Sequence, residues 1–318
     1  MARGSVGSDH VAWRERSHTV KAINTGDSLQ KKNNLTGWAF VLLAVVGIVA
    51  FYFYPMIQAL LLSFKSGKGA NLEFSGLANY KRLLVDTTFR TALSNTFIYL
   101  IIQVPLMIIL GLFISVLLND STLRFRSFFR TAIFLPCVTS LVAYSVVFKY
   151  LFAPDGMVNQ ALLGMHIIGT PIQWITDPFW AKITIIIAVT WRWTGYNMIF
   201  YLSSLQNIDQ SIYEAAKIDG ANAFTQFFKI TVPLLKPIIL FTSITSTIGT
   251  LQIFDEIMNI TKGGPGNATM SISQYIYNLS FKYSPDFGYA ATVSYSIVIL
   301  IIILSIIQFK VAGDNKNG

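Results

Sequence analysis

The chain has 318 residues, of which 53% are hydrophobic and only 12% are charged. Soluble domains carry about 25% charged residues, so this composition excludes an ordinary water-soluble domain and indicates that lipid is the solvent. One cysteine and three scattered histidines exclude a disulfide framework and a cysteine or histidine metal site, and the distribution of the +9 net charge indicates membrane topology rather than nucleic-acid binding.

Six apolar segments, each near the roughly 20 residues that a bilayer requires, follow a polar N-terminal stretch. Residues 1–34 predict a disordered tail, and residues 35–91 predict the first transmembrane helix with an extracytoplasmic segment. Residues 92–310 predict the core of an all-α membrane protein, and residues 311–318 a short tail. The six predicted spans are Leu35–Leu62, Ala92–Leu118, Thr131–Phe152, Ala181–Ser204, Leu234–Phe254 and Tyr289–Phe309.

The orientation of these spans follows from the lysines and arginines beside them. With the N-terminus inside the cell, 14 of the 24 basic residues fall in cytoplasmic pieces and 8 in extracytoplasmic pieces. The positive-inside rule therefore places both termini in the cytoplasm. In the first outer loop, leucines and a tyrosine recur at helical spacing from Leu77 to Leu84, which predicts a short amphipathic helix on the membrane surface.

Prolines and glycines inside the second and third spans predict interruptions of regular helix. Pro105 and Gly111 lie in the second span and Pro136 lies in the third. In a membrane, broken backbone is tolerated where protein or a cavity satisfies its polar groups, so these positions fit a transport path and equally a kinked bundle.

The fourth span holds an arginine among aromatic and amide side chains, and these are the candidate residues of a solute path. A charge near the middle of a span costs at least about 2.5–3.5 kcal/mol, so it normally faces protein or a water-filled path. The flat rings around it suit the apolar face of a sugar. The alternative is that the arginine pairs with carbonyl groups between helices and the tryptophans only pack. The candidates are Trp191, Arg192, Trp193, Tyr196 and Asn197.

The fifth span ends in a glycine- and proline-rich turn at the predicted outer mouth. Asp255, Gly263, Gly264 and Pro265 are its candidate functional residues. No phosphate-binding GxxxxGK[ST] motif occurs here or elsewhere in the chain. If transport uses ATP, another subunit must bind it.

Between the fourth and fifth spans lies a polar stretch, residues 206–237, whose pattern predicts two short helices broken at a glycine. Ser211 is placed to cap the first turn, Gly220 to provide a left-handed stop, and Asn222 to cap a second helix that runs to Val232-Pro233. Spacing alone leaves two interpretations: a part made to fit another protein, or an ordinary interhelical loop.

Several motifs, in order, resemble the permease subunit of carbohydrate-type ABC importers, and the resemblance covers about residues 36–310. The stretch from Glu214 is similar to the cytoplasmic EAA loop of that family. The motifs are Phe74-x-Gly-Leu-x-Asn-Tyr80, Ala92-Leu-x-Asn-Thr96, Phe129-Arg-Thr131 with Leu135-Pro136, Glu214-Ala-Ala-x-x-Asp-Gly-Ala221 with Ile230 and Pro233, and Thr261-x-Gly-Gly-Pro-Gly-Asn-Ala-Thr269.

The resemblance implies a type I importer in the cytoplasmic membrane of a bacterium or archaeon. A second permease subunit, two cytoplasmic ATPases that bind ATP and Mg²⁺, and an extracytoplasmic solute-binding protein are the implied partners, and no cofactor is expected on this chain. It also implies an ATPase-coupling role for Glu214, Ala215, Ala216, Asp219 and Gly220.

Two other classes of function compete with this interpretation. A secondary transporter or channel would work without ATPase subunits, and an acidic residue within a span or an inverted repeat would be its expected sign. Asp255 and Glu256 lie at a span end, so neither sign is evident. A membrane enzyme has no candidate nucleophile or metal set in the sequence.

Overall fold

The computed structural model describes residues 37–69 and 71–313. The tail predicted over 1–34 lies outside this range, as do residues 314–318 of the tail predicted over 311–318. The chain divides into two compact units between Leu61 and Leu62. The first unit contributes most of helix α1, Gly37–Ser63, which is apolar enough to cross a membrane and includes a π-helical stretch at Val49–Phe53.

The second unit begins with a β-hairpin that the sequence did not predict. Strands β1 (Lys65–Lys68) and β2 (Asn71–Phe74) pair antiparallel, with Lys65 opposite Phe74. Helix α2 (Ala78–Val85) follows and confirms the predicted short helix. The buried side chain of Asn79 donates from Nδ2 to the carbonyls of Ser63 and Lys65, at 3.0 and 2.7 Å, and thereby ties α2 to the hairpin.

Helix α3 (Thr87–Asn119) runs without a break, so the predicted interruption at Pro105 and Gly111 is wrong. Membrane helices tolerate proline where neighbouring groups satisfy the freed carbonyl. Gly111 serves packing instead, because a Cβ there would lie 3.1 Å from Cβ of Asn197 and 3.2 Å from the Tyr201 ring.

The third predicted span is two helices rather than one. Helices α4 (Arg126–Val138) and α5 (Leu141–Leu151) are bent by 102° at a break of two residues. Pro136 lies inside α4, and the break falls at Thr139 and Ser140. Ser140 accepts from the Ala143 amide and caps the start of α5. A short helix, α6 (Met157–Gly164), follows in the next connection.

Helix α7 (Pro178–Leu205) contains the predicted fourth span. It is long enough to cross a membrane, but its polar residues make it too polar to meet the composition expected of a span. Four of the described helices meet both the length and the composition. Those four are Gly37–Ser63, Thr87–Asn119, Ala223–Leu251 and Phe287–Val311, and the bent pair α4–α5 makes up to five.

Helices α8 (Gln210–Ile218) and α9 (Ala223–Leu251) form the polar stretch and the fifth span. The N-cap of α8 is Asp209, which accepts from the Ser211 amide at 2.9 Å, so the assignment of Ser211 as cap is wrong. Asn222 caps α9 as predicted. The predicted end at Val232-Pro233 is also wrong, because α9 continues through Pro233 after a widened π-helical stretch, Phe227–Thr231.

The chain ends with α10 (Asp255–Ile260), α11 (Ile272–Tyr277) with a π-helical extension Asn278–Lys282, and α12 (Phe287–Gly313). Helix α12 therefore includes the first three residues of the tail predicted over 311–318. In the unit from Leu62 onward, α3 packs along α7, and α9 packs against both. This arrangement surrounds a cavity whose lining is mostly apolar.

Candidate functional site

A cavity of about 270 Å³ lies among α3, α5, α7, α9 and α10. Its wall includes Gln103 and Met107 of α3, the rings of Trp193 and Tyr196 on α7, and small residues of α9. Its lining residues are Gln103, Met107, Leu141, Val189, Trp193, Tyr196, Thr245, Ser246, Gly249, Thr250, Gln252, Ile253, Phe254, Asp255 and Glu256.

Trp193 and Tyr196 form the aromatic wall of the cavity. They lie one helical turn apart on α7, and their ring centroids are 5.8 Å apart in an edge-to-face arrangement. Tyr196 is held from the other side by Phe200 at 4.9 Å. Because these rings are rigid and only partly buried, they can offer flat apolar surface to a ligand in the cavity.

Several polar residues of the cavity were not predicted from the sequence, and Gln103 and Glu256 are two buried ones among them. Gln103 on α3 is 1% exposed, and its Oε1 has no hydrogen-bond partner in the described residues. Glu256 on α10 is 5% exposed, so it is a buried acid rather than an exposed residue at a span end. A glutamine in the middle of an apolar span was a visible signal for Gln103. For Glu256 there was none, because α10 is a separate helix that turns back into the protein.

Arg192 pairs with backbone carbonyls between helices, as in the second of the two interpretations from the sequence. It is 5% exposed, and it donates to backbone carbonyls at the end of α4. Nη1 lies 3.0 Å from the oxygen of Pro136 and 2.9 Å from that of Thr139, and Nη2 lies 3.1 Å from that of Cys137. Its guanidinium carbon also lies 4.7 Å from the Tyr144 ring centroid. Arg192 does not line the cavity.

Trp191 and Asn197 also lie outside the cavity lining. The Trp191 ring packs on Phe148 of α5 at 5.3 Å, with about half of the side chain exposed. Asn197 is fully buried and donates to Oγ of Ser246 on α9 at 3.3 Å. Of the five residues grouped from the sequence, the structure therefore brings Trp193 and Tyr196 to the cavity.

The glycine-rich turn is anchored to α3. Nδ2 of Asn95 donates to the carbonyls of Asn267 and Met270 at 3.0 and 3.1 Å, and the Tyr99 hydroxyl donates to the carbonyl of Thr269 at 3.0 Å. Gly263 is buried with φ +84°, and a Cβ there would lie 2.5 Å from Oε1 of Gln274. Gly264 and Pro265 are partly exposed. Asp255 lines the cavity, whereas the three turn residues do not.

Helix α8 is exposed along its length and ends in a Schellman motif. None of its residues is buried, and Ile218 is 86% exposed. The Gly220 amide donates to the carbonyl of Lys217 and the Ala221 amide to that of Ala216, with Gly220 at φ +80°. Glu214, Ala215 and Asp219 are exposed and Ala216 is partly exposed.

The start of α8 is fixed by a carboxylate at its positive end. The Ser211 amide and hydroxyl donate to Asp209 and lower the pKa of that carboxyl below its ordinary value. At the other side of the turn, the hydroxyls of Tyr213 and Thr231 are 3.0 Å apart. The turn between α8 and α9 is therefore held as a unit rather than as a loose loop.

Residues 122–312 match the family described as binding-protein-dependent transport system inner membrane component. This chain belongs to that family. The resemblance inferred from the ordered motifs is thereby confirmed, and the family is one of transport permeases rather than enzymes.

Relatives span nearly the whole chain. The lactose transport system permease protein LacF of Rhizobium radiobacter is 55% identical over 93% of this chain and 100% of its own length. The arabinooligosaccharides transport system permease protein AraP of Halalkalibacterium halodurans is 34% identical over 86% of each chain. A bacterial ABC transporter chain involved in importing the acidic polysaccharide alginate has a TM-score of 0.77, 21% identity, and coverage of 90% of this chain and 98% of its own, and shows that the fold is shared.

Proposed function

We propose that this chain is the membrane-spanning subunit of an ATP-driven, binding-protein-dependent importer of a sugar or oligosaccharide. The observation that carries the proposal is that α7 and α9, which both line the cavity, are joined through the exposed helix α8. Tyr196 lies nine positions before Leu205, the last residue of α7, a distance of about 14 Å at 1.5 Å per residue. A force on α8 therefore reaches the cavity wall through two continuous helices.

The cavity is the proposed solute path. Trp193 and Tyr196 give the apolar face of a sugar ring two surfaces to stack on, and Gln103 offers a free carbonyl to its hydroxyls. Arg192, Trp191 and Asn197 serve the path indirectly, by fixing α7 against its neighbours. Two relatives are named as permeases of lactose and arabinooligosaccharide transport systems, which supports a sugar as the solute.

Helix α8 is the proposed joint to a cytoplasmic ATPase. Glu214 and Asp219 offer exposed carboxylates, Ala215 and Ala216 allow close approach, and Gly220 sets the turn into α9. ATP and Mg²⁺ would be bound by two ATPase subunits, and a second permease would complete the pore. The family description supports a solute-binding protein as a further partner. Asp255, Gly264 and Pro265 are the proposed contacts, and the buried Gly263 is proposed to shape the turn that presents them.

The proposed topology has six spans and both termini in the cytoplasm of a bacterium or archaeon. Four apolar helices, the bent pair α4–α5 and the more polar α7 supply the six. The distribution of basic residues supports this orientation, with α8 on the cytoplasmic side.

The double variant Glu214→Ala with Gly220→Asp tests the coupling role. In proteoliposomes that contain the whole complex, it should lose solute-stimulated ATP hydrolysis and uptake. The matched control is Glu73→Ala with Gly76→Asp, which makes the same two changes at an exposed glutamate and at a positive-φ glycine with open space around it. The control should transport normally.

Uptake at the wild-type rate by the α8 double variant would show that the coupling role is wrong. Transport by this chain alone, without ATP or an ATPase, would instead support the alternative of a secondary transporter or channel. Both outcomes are read from the same liposomes with and without the ATPase subunits.

A further inference from the structure

One buried polar group of the cavity wall, the carbonyl of Gln103, is a hydrogen-bond acceptor that lacks a donor in the described part of the chain. Oε1 of Gln103 has no partner in the described residues, and the Gln103 amide nitrogen contacts only the sulfur of Met107, at 3.7 Å. A buried carbonyl without a donor costs free energy that a ligand hydroxyl would recover. The cavity is therefore prepared for a molecule that brings hydroxyl groups.

The charge on the cavity wall is negative. Asp255 and Glu256 contribute two carboxyl groups, and no lysine, arginine or histidine is among the lining residues. Glu256 is 95% buried, and within the described chain no basic side chain lies within 4.0 Å of it. Buried carboxylates are normally paired with a basic side chain, so one without a basic partner at the wall of a cavity indicates a ligand-directed role.

Arg192 does not cancel this charge at the cavity surface. The Tyr144 ring lies under its guanidinium, and the Tyr144 hydroxyl interacts electrostatically with both Arg192 and Glu256. The guanidinium is nevertheless committed to the carbonyls at the end of α4 and does not line the cavity. A solute in the cavity therefore meets the carboxylates and not the arginine.

We propose that Glu256 makes this cavity selective for uncharged, hydroxyl-rich saccharides over saccharides that carry a carboxylate, while Gln103 accepts hydrogen bonds from the hydroxyls of either. The hydroxyls of a neutral sugar donate to Glu256 and Gln103 while the ring stacks on Trp193 or Tyr196. A sugar acid brings a like charge into a site of low dielectric, where repulsion is strong. The inference rests on the proposed function of the cavity and names the substrate class that it accepts.

The test is binding to the assembled transporter in nanodiscs without the solute-binding protein, which removes the selection made by that partner. The probes are lactose and arabinobiose, each compared with its own aldonic acid, by saturation-transfer NMR. The wild-type complex should bind each neutral sugar at least tenfold more tightly than its acid. Glu256→Gln keeps the side-chain shape and removes the charge, and should reduce this ratio to below threefold.

Two further variants separate charge from polarity and from general effects. Gln103→Met removes the acceptor without changing the charge. It should weaken the binding of the neutral sugar and of its acid alike, and leave the ratio of the two affinities unchanged. Glu73→Gln makes the same charge change at an exposed position on strand β2, outside the cavity lining, and should leave both affinities unchanged. Each ratio compares the affinities of two ligands for one protein. Partial unfolding of a variant affects both affinities equally, so it cannot change the ratio.

A ratio that stays at the wild-type value in Glu256→Gln would overturn the selectivity proposal while leaving the sugar cavity intact. Failure of the wild-type complex to bind either neutral sugar would overturn the sugar cavity itself. The two failures are thereby distinguished.

Discussion

A hydrogen bond of 3.0 Å joins Nη1 of Arg192 to the backbone carbonyl of Pro136, across the point where α4 ends and the chain bends by 102°. The last carbonyls of any helix lack partners within it, and within a bilayer no water replaces them. The planar guanidinium reaches three such oxygens from two separate nitrogens in a fixed fork, a geometry that the compact ammonium group of lysine does not reproduce. The charge inside α7 is therefore explained by the broken helix that it completes.

Replacement of Arg192 by methionine should destabilise the protein by about 3 kcal/mol or more, because three carbonyls lose donors at about 1–3 kcal/mol each. Arg192→Lys should cause an intermediate destabilisation, because lysine keeps the positive charge but lacks the two guanidinium nitrogens that contact separate carbonyls. Thermal unfolding of the detergent-solubilised complex measures the effect. Arg126→Met, at an exposed position on α4, is the control and should unfold near the wild-type temperature. Equal unfolding temperatures for the two methionine variants would show that the hydrogen bonds from Arg192 to the end of α4 do not stabilise the protein.

Gly195 lets α4 approach α7 closely, and Gly195→Ala should force the helices apart. A Cβ there would lie 2.2 Å from the backbone oxygen of Ile133, and backbone cannot rotate away as a flexible side chain can. Overpacking of this kind costs about 1–3 kcal/mol. The same unfolding measurement compares it with Gly47→Ala, where a Cβ would meet nothing within 4 Å. A Gly195→Ala protein as stable as the control would show that the contact is easily relieved.

The sequence predicted best where local chemistry decides the structure. Gly220 needs a left-handed conformation and Asn222 caps the next helix, and both signals lie within one turn of the feature they produce. Ser211 was predicted as the cap of α8, but Asp209, two residues earlier, is the N-cap, and both residue types cap well.

The features that sequence reasoning missed depend on contacts distant in the chain. An interruption of the third span was predicted at Pro136, but the exact break at Thr139 and Ser140 depends on Arg192, more than 50 residues later. Proline alone produces no break in α3 at Pro105. Glu256 could not be assigned to a cavity without the turn that sends α10 back toward α3 and α5. The aromatic residues Trp193 and Tyr196 were found from composition, but which rings face the cavity required the rotation of α7.

Asn159 organises the connection between α5 and α7, and Asn159→Asp should loosen it. Its buried Nδ2 donates to the carbonyls of Ala153, Pro154 and Ile172, and its Oδ1 accepts from the Ile172 amide and from Nε1 of Trp174 at 2.9 Å. Aspartate offers no donor, so three carbonyls lose their partner and face a negative charge instead. Limited proteolysis should show faster cleavage between residues 153 and 177.

The matched control for this change is Gln160→Glu. Gln160 is exposed and makes one hydrogen bond, from Nε2 to the carbonyl of Asp155, so the same amide-to-acid change should leave the cleavage rate close to that of the wild type. If Asn159→Asp were cleaved no faster than this control, the side chain would not be what holds the connection.

Asp86 joins α3, α11 and α12, and it should make stability depend on pH. Its carboxylate accepts from the hydroxyls of Tyr275 and Tyr289 and from the amides of Thr88 and Phe89. Burial opposes the charge, but these hydrogen bonds outweigh burial and hold the pKa of Asp86 below its ordinary value of 3.8. Burial, followed by the contact with Asp86, raises the pKa of Tyr275, so its hydroxyl stays a donor at neutral pH.

Because the folded-state pKa of Asp86 is depressed, its stabilising contribution is complete above the unfolded value and is lost as pH falls through the folded value. Asp86→Asn should therefore unfold at a lower temperature than the wild type at pH 7, and the difference should shrink as the pH is lowered below about 4. Thermal unfolding at pH 7, 5 and 3.5 gives the comparison. Asp155→Asn, at an exposed position, should show no such convergence. A constant difference between Asp86→Asn and the wild type across this range would mean that the carboxylate charge is not what the tyrosines hold.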